Sequence, residues 1–140
     1  MTTPPSPPAR PDITDSIVFT YTDDLPASSR FFRDTLELEF VVDQGLCHIF
    51  RLSPTSYIGV CSIPGRPRAT VGVTITIVTS DVDGWHAFLT AKGLVYDTPP
   101  RNSERFNVYS SLFIDPNGYR IEIQRFNDPN WRRGASSTPA

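Results

Sequence analysis

What this chain has little of narrows its function first. In 140 residues it holds only two cysteines, two histidines and one methionine. It has no CxxC pair, no HExxH helix, no phosphate-cradling glycine loop and no nucleophile elbow, which removes the local signatures of the commonest metal, nucleotide and acyl-transfer centres. No charge of one sign dominates: a net charge of −2 gives no electrostatic case for nucleic acid or an anionic membrane. No apolar run is long enough to span a bilayer and no apolar secretory segment follows Met1. The expectation is a cytoplasmic domain, with Cys47 and Cys61 as reduced, packed thiols lacking any activating partner.

Proline is abundant and uneven. "TTPPSPPARP" at the start and "GASSTPA" at the end read as disordered tails over residues 1–12 and 132–140. One folded body over 13–131 is long enough to bury roughly two-thirds of its unfolded surface.

That body contains a repeat. Slid by 62 residues, "LSPTSYIGVCSI" lies over "IDPNGYRIEIQR", so that Pro54 meets Pro116, Tyr57 meets Tyr119 and Val60 meets Glu122. Upstream an offset of 57 pairs Asp24 with Asp81 and Phe31 with Phe88. Each half reads as strand, helix and three strands: a first module at about 13–63, a linker at 64–70 and a second module at about 71–126. Asp24 and Asp81 suit helix N-caps, Pro26 a first turn and Gly93 a C-terminal stop. The fold class is α+β: two tandem βαβββ modules forming curved mixed sheets around a cleft, with helices on the outer face.

The stretch "GYRIEIQRF" carries the sharpest functional signal. Tyr119, Ile121 and Ile123 alternate with Arg120, Glu122 and Gln124, so one strand face packs and the other is polar. Parity then places Arg120, Glu122 and Gln124 on the cleft side, and in the first half Ile58, Val60 and Ser62. On the same offset Phe50 and Leu52 match Leu112 and Ile114. With those four toward the helices, Cys47, Ile49 and Arg51 face the cleft and His48 becomes a packed or surface histidine. Phe19 and Tyr21, and Thr74 and Thr76, supply a cleft floor, with Tyr21, Trp85 or Tyr109 available to stack on a flat ligand. His86, on the second helix, is expected to face solvent.

"YTDDLPASSRFFRDTLELEFVVDQG", the doubled βαβββ order and above all "DPNGYRIEI" resemble the vicinal oxygen chelate superfamily, which includes glyoxalase I, bleomycin-resistance proteins and extradiol dioxygenases. The resemblance covers about residues 13–126. It implies metal-ligand points on the first and last strand of each module, carried over to Ile17, Val60, Thr74 and Glu122. Only Glu122 is a usable ligand, and a catalytic metal ordinarily needs three. Members usually carry glycine after the first helix, where this chain has Glu37.

The resemblance therefore implies a metal-free binder of the bleomycin-resistance type, associated in that branch with antibiotic resistance. It would be a homodimer that sequesters a small organic molecule with no cofactor. Its candidate ligand contacts are Phe19, Tyr21, Arg51, Val60, Thr74, Thr76, Tyr109, Arg120 and Gln124. The alternative is a glyoxalase-like lyase or isomerase, or a dioxygenase, with Glu122 as base or as ligand of a divalent metal.

Overall fold

The computed structural model describes residues 3–4, 8–11, 13–66 and 69–131. The C-terminal tail lies outside them; the described part of the N-terminal one is exposed and without regular structure up to β1.

The first half contains β1 (Ser16–Tyr21), α1 (Leu25–Arg30), β2 (Glu39–Asp43), β3 (Cys47–Ser53) and β4 (Ser56–Cys61). The second contains β5 (Thr74–Val78), α2 (Val82–Ala91), β6 (Thr98–Ser103), β7 (Val108–Ile114) and β8 (Arg120–Phe126). Each half forms a four-stranded sheet, in the orders β1-β4-β3-β2 and β5-β8-β7-β6. The outer strands pair antiparallel, whereas β1 runs parallel to β4 and β5 to β8. A helix after the first strand supplies the crossover that a parallel pair requires.

Both helices start where the sequence signals. Asp24 accepts from the Ala27 amide at 3.0 Å and Asp81 from the Gly84 amide at 2.8 Å, each satisfying one orphan donor of a first turn. α1 widens into a π-helical turn over Phe31–Thr35, which carries Phe32 inward. α2 stops at Gly93, whose φ of 91° no other residue adopts as cheaply. At the corresponding stop of the first helix Glu37 sits at φ 53°, its carboxylate held by Lys92.

The helix-covered faces form one core. Phe32, Leu36, Phe50, Ile58 and Val60 from the first half meet Ile75, Leu89, Phe113, Ile121 and Ile123 from the second. The halves are also keyed together by the β7–β8 turn. Asn117 donates to Ser28 Oγ at 2.8 Å and accepts from Thr22 Oγ1 at 2.7 Å, while the Tyr119 hydroxyl accepts from the Tyr21 amide at 3.1 Å.

This core corrects the parity reading. Ile58 pairs with Phe50, and Val60 with His48, whose ring bonds Ser29 of α1. Ile58 and Val60 therefore lie beneath the helix, 1% and 0% exposed, and Val60 does not line the cleft. The corresponding core residues of the second half are Phe113 and Ile121, which pair with each other, so the strands repeat at an offset of 63 rather than 62. Since side chains alternate with a period of two, a slip of one residue exchanges the faces. His48 is packed as expected, but Leu112 pairs with Glu122 and Ile114 with Arg120, on the face away from the helix.

The cysteines are corrected too. Cys47 and Cys61 sit directly opposite across β3 and β4, Cα atoms 4.1 Å apart, and are joined by a disulfide. Their peptide groups bond elsewhere, to Gln44 and Thr22, which identifies the close, non-hydrogen-bonded kind of antiparallel pair.

Candidate functional site

The face of each sheet opposite its helix is open, and ladder register fixes what it carries. In the first sheet one row is Ile17, Tyr57, Arg51 and Glu39, and the next is Phe19, Gly59 and Ile49. In the second the matching rows are Thr74, Arg120 and Ile114, then Thr76, Glu122 and Leu112, followed by Val78, Gln124, Ser110 and Arg101. The open surface is thus apolar and aromatic on one half and polar on the other.

Glu122 is half-buried and accepts a hydrogen bond from Thr76 Oγ1 at 3.1 Å. Arg120 Nε reaches Thr74 Oγ1 at 3.4 Å. Across the molecule Arg51 donates to the Tyr57 hydroxyl at 2.8 Å and to Pro54 O at 3.1 Å, with its Nε 3.4 Å from Glu39. Burial opposes the Arg51 charge, but the Tyr57 and Glu39 oxygens outweigh it and raise its pKa above the ordinary arginine value. Phe19 lies over Gly59, where an added Cβ would stand 2.5 Å from the ring. That contact is a physical reason for glycine mid-strand. Tyr21 shares this face, with the Arg66 guanidinium 6.0 Å from its ring centre.

The seam between the sheets is hollow. A cavity of about 510 Å³ is lined by Ser16, Val18 and Tyr57 on one side and by Val73, Thr74 and Thr76 on the other. A second, of about 390 Å³, is lined by Ser53, Pro54, Val78 and Trp131. They share Leu52, Ser56 and Thr76, so the residue whose hydroxyl holds Glu122 borders both. A third hollow of about 280 Å³ lies on the first sheet among Ile17, Val42, Ile49, Arg51 and Tyr57.

Of the residues expected in the cleft, Phe19, Tyr21 and Arg51 stand on the open face of the first sheet and Thr74, Thr76, Arg120, Glu122 and Gln124 on that of the second. Val60 is beneath α1. Tyr109 is on the helix side as well: its hydroxyl donates to Asp83 of α2 at 2.6 Å, and that bond, with burial, raises its pKa. Trp85 and Phe88 border a hollow between α2 and the end of the first helix, on the opposite surface. His86 is half-buried against the Tyr96 ring rather than turned to solvent. Sequence reading missed Tyr57, Ser56 and Trp131. The Arg51–Tyr57 contact is a cross-strand pair of the β3–β4 hairpin, which propensity does not report. Trp131, stacked on Phe126 at 4.5 Å, gave only an aromatic at the end of the body as a signal.

The metal set that the resemblance implies does not fit these residues. Glu122 has Thr76 and Leu112 as ladder neighbours, and the equivalent row of the first half is Phe19, Gly59 and Ile49. None of these offers an imidazole, thiolate or second carboxylate, and among the described residues no cluster of three such groups could hold a metal ion.

Comparison with known proteins agrees with the fold. The chain matches the Glyoxalase/Bleomycin resistance protein/Dioxygenase superfamily over residues 15–123. No curated protein matches it by sequence. Among solved structures, a glyoxalase/bleomycin resistance protein/dioxygenase from Nocardioides superposes with a TM-score of 0.69 at 21% identity, covering 86% of this chain and 87% of that one. A lactoylglutathione lyase from Agrobacterium tumefaciens gives 0.66 at 21%, covering 82% and 95%. TioX from Micromonospora sp. ML1 gives 0.66 at 16%, covering 79% and 97%. At these identities the superpositions speak for the fold, and the sequence match over most of the body places the chain in the Glyoxalase/Bleomycin resistance protein/Dioxygenase superfamily.

Proposed function

We propose that this protein is a binder of the bleomycin-resistance type, holding a small organic molecule on its open face without a metal and without transforming it. The observation that carries this reading is the hollow seam, whose two adjacent cavities draw their walls from both halves and include Thr76, the residue bonded to Glu122. Their volumes lie in the range of drug-sized ligand sites, and the lining has the usual make-up of apolar walls with a few fixed polar groups. Val18, Leu52, Tyr57 and Val73 would cover the body of a ligand. Thr74, Thr76, Arg120 and Glu122 would fix its orientation. With no donor set around Glu122 among the described residues to hold a metal, its carboxylate serves as a hydrogen-bond acceptor for the ligand.

The protein is further proposed to act as a homodimer, because Ile17, Phe19 and Val42 are each more than 40% exposed on the open side of the first sheet.

Thermal shift across a panel of aromatic compounds in the presence of EDTA tests the binding reading. Saturable stabilisation that EDTA leaves intact is the expected result. Failure of every compound, or stabilisation that EDTA abolishes, would sink it.

A further inference from the structure

Within the open face one row has no internal use for its polar groups. Arg101 pairs with Ser110 and Ser110 with Gln124, so the three side chains stand side by side on β6, β7 and β8. Gln124 is only 9% exposed, yet among the described residues its side-chain amide has no hydrogen-bond partner. The residue is packed into the sheet while its amide keeps contact with the open surface, where a ligand's oxygens can complete it. The Ser110 hydroxyl and the exposed Arg101 guanidinium are likewise unpartnered among the described residues. On one side the next row holds Phe126, with Trp131 stacked on it. On the other side, about 7 Å along the strand, it holds Glu122.

We propose that Arg101, Ser110 and Gln124 form a carboxylate-binding subsite, which rests on the binding role proposed above and names the class of ligand. Guanidinium, hydroxyl and amide N–H are all donors, and a fork of this kind matches the two oxygens of a carboxylate. Glu122 then calls for a donor on the same ligand, one row from the acid group. The class is an organic acid with an apolar or aromatic body and a hydroxyl or amine at its far end. The ring pair Phe126–Trp131 offers an apolar surface beside the carboxylate end.

Three matched probes test this: 4-hydroxyphenylacetate, its neutral amide and tyramine, which exchanges the carboxylate for an ammonium. Calorimetric titration of the full chain should give the acid an affinity at least about tenfold above either of the others. Arg101→Ala and Gln124→Met should each weaken the acid by about tenfold and leave the amide unchanged. Gln124→Met should at the same time leave Tm within about 2 °C of the unmodified chain, because the amide it replaces makes no bond among the described residues and the shape is nearly constant. A purely structural glutamine would melt lower when replaced, and a variant that melts with the unmodified chain cannot owe lost binding to misfolding.

Equal affinity for the acid and its amide would overturn the subsite while leaving the binding reading standing. Variants that bind the acid as well as the unmodified chain does would overturn it too, and so would no binding of the acid. If the aromatic panel in EDTA also failed, both readings would fall.

Discussion

At the scale of single residues, two positions store cost that substitution can release or provoke. Asp115 opens the β7–β8 turn, where Oδ1 accepts from the Asn117 and Tyr119 amides at 2.9 and 2.8 Å. Its Oδ2 is buried without a partner among the described residues, and burial raises the carboxyl pKa despite the amide donors. The folded state therefore binds the proton more tightly than the unfolded chain, and stability falls as pH rises from the ordinary carboxylate value through the raised one. Asp115→Asn keeps Oδ1 and removes the charge. It should stabilise the protein by roughly 1 kcal/mol at pH 7, an advantage that fades at pH below the ordinary aspartate range. Melting curves for both proteins from pH 3 to 8 check sign and window. Gly59 is the opposite case. Gly59→Ala drives a methyl into the Phe19 ring and should cost roughly 1–2 kcal/mol in urea unfolding. In a Phe19→Ala background the same change should cost far less, since the obstacle is gone.

At the scale of elements, the β7–β8 turn acts as a clamp between the halves. Asn117→Ala removes a two-bond link to Thr22 and Ser28, and Ser28 is 1% exposed. A loss of about 1–3 kcal/mol is expected, with the unfolding transition remaining single because the core runs through both halves. The turn at Glu37 predicts a gain instead. Glu37→Gly relieves a left-handed conformation worth about 1–2 kcal/mol and forfeits an exposed ion pair worth at most about 1, so a slight rise in Tm is expected.

Elements were also where sequence reading did best and then slipped. Strand order, both N-caps and the Gly93 stop follow from local chemistry, and local chemistry is what a sequence displays. The offset was taken from the turns, where Pro54 and Pro116 look alike, but core packing aligns Phe50 with Phe113 and Ile58 with Ile121. Tyr57 and Tyr119 resemble each other for no structural reason: one is on the open face, while the other is 4% exposed and bonded to Tyr21. Glu122 and its neighbours were legible because alternation within one strand needs no partner. Val60 and Tyr109 were misplaced because their facing depends on another strand's register.

At the scale of the whole molecule, the two open faces are unequal. The second sheet's face is closed over in part, with Leu112, Val108 and Gln124 no more than 9% exposed. The first sheet's face leaves Ile17 at 42%, Phe19 at 42% and Val42 at 43% exposed, with Leu46 at 57% beside the disulfide. Apolar side chains gathered on one sheet face gain roughly 25 cal/mol for each Å² they hide, and the only charge in their rows, Arg51 with Glu39, is already paired. A second copy meeting this face would bury it without stranding a charge, which is the condition for association to outweigh its entropy. Native mass spectrometry and sedimentation should give twice the chain mass at micromolar concentration. Phe19→Asp should shift the protein to the single-chain mass with its far-UV dichroism preserved, because the ring sits on a surface rather than in the core. If Phe19→Asp stays at the double mass, the contact lies elsewhere, and Ile17, Phe19 and Val42 are left exposed for the ligand alone.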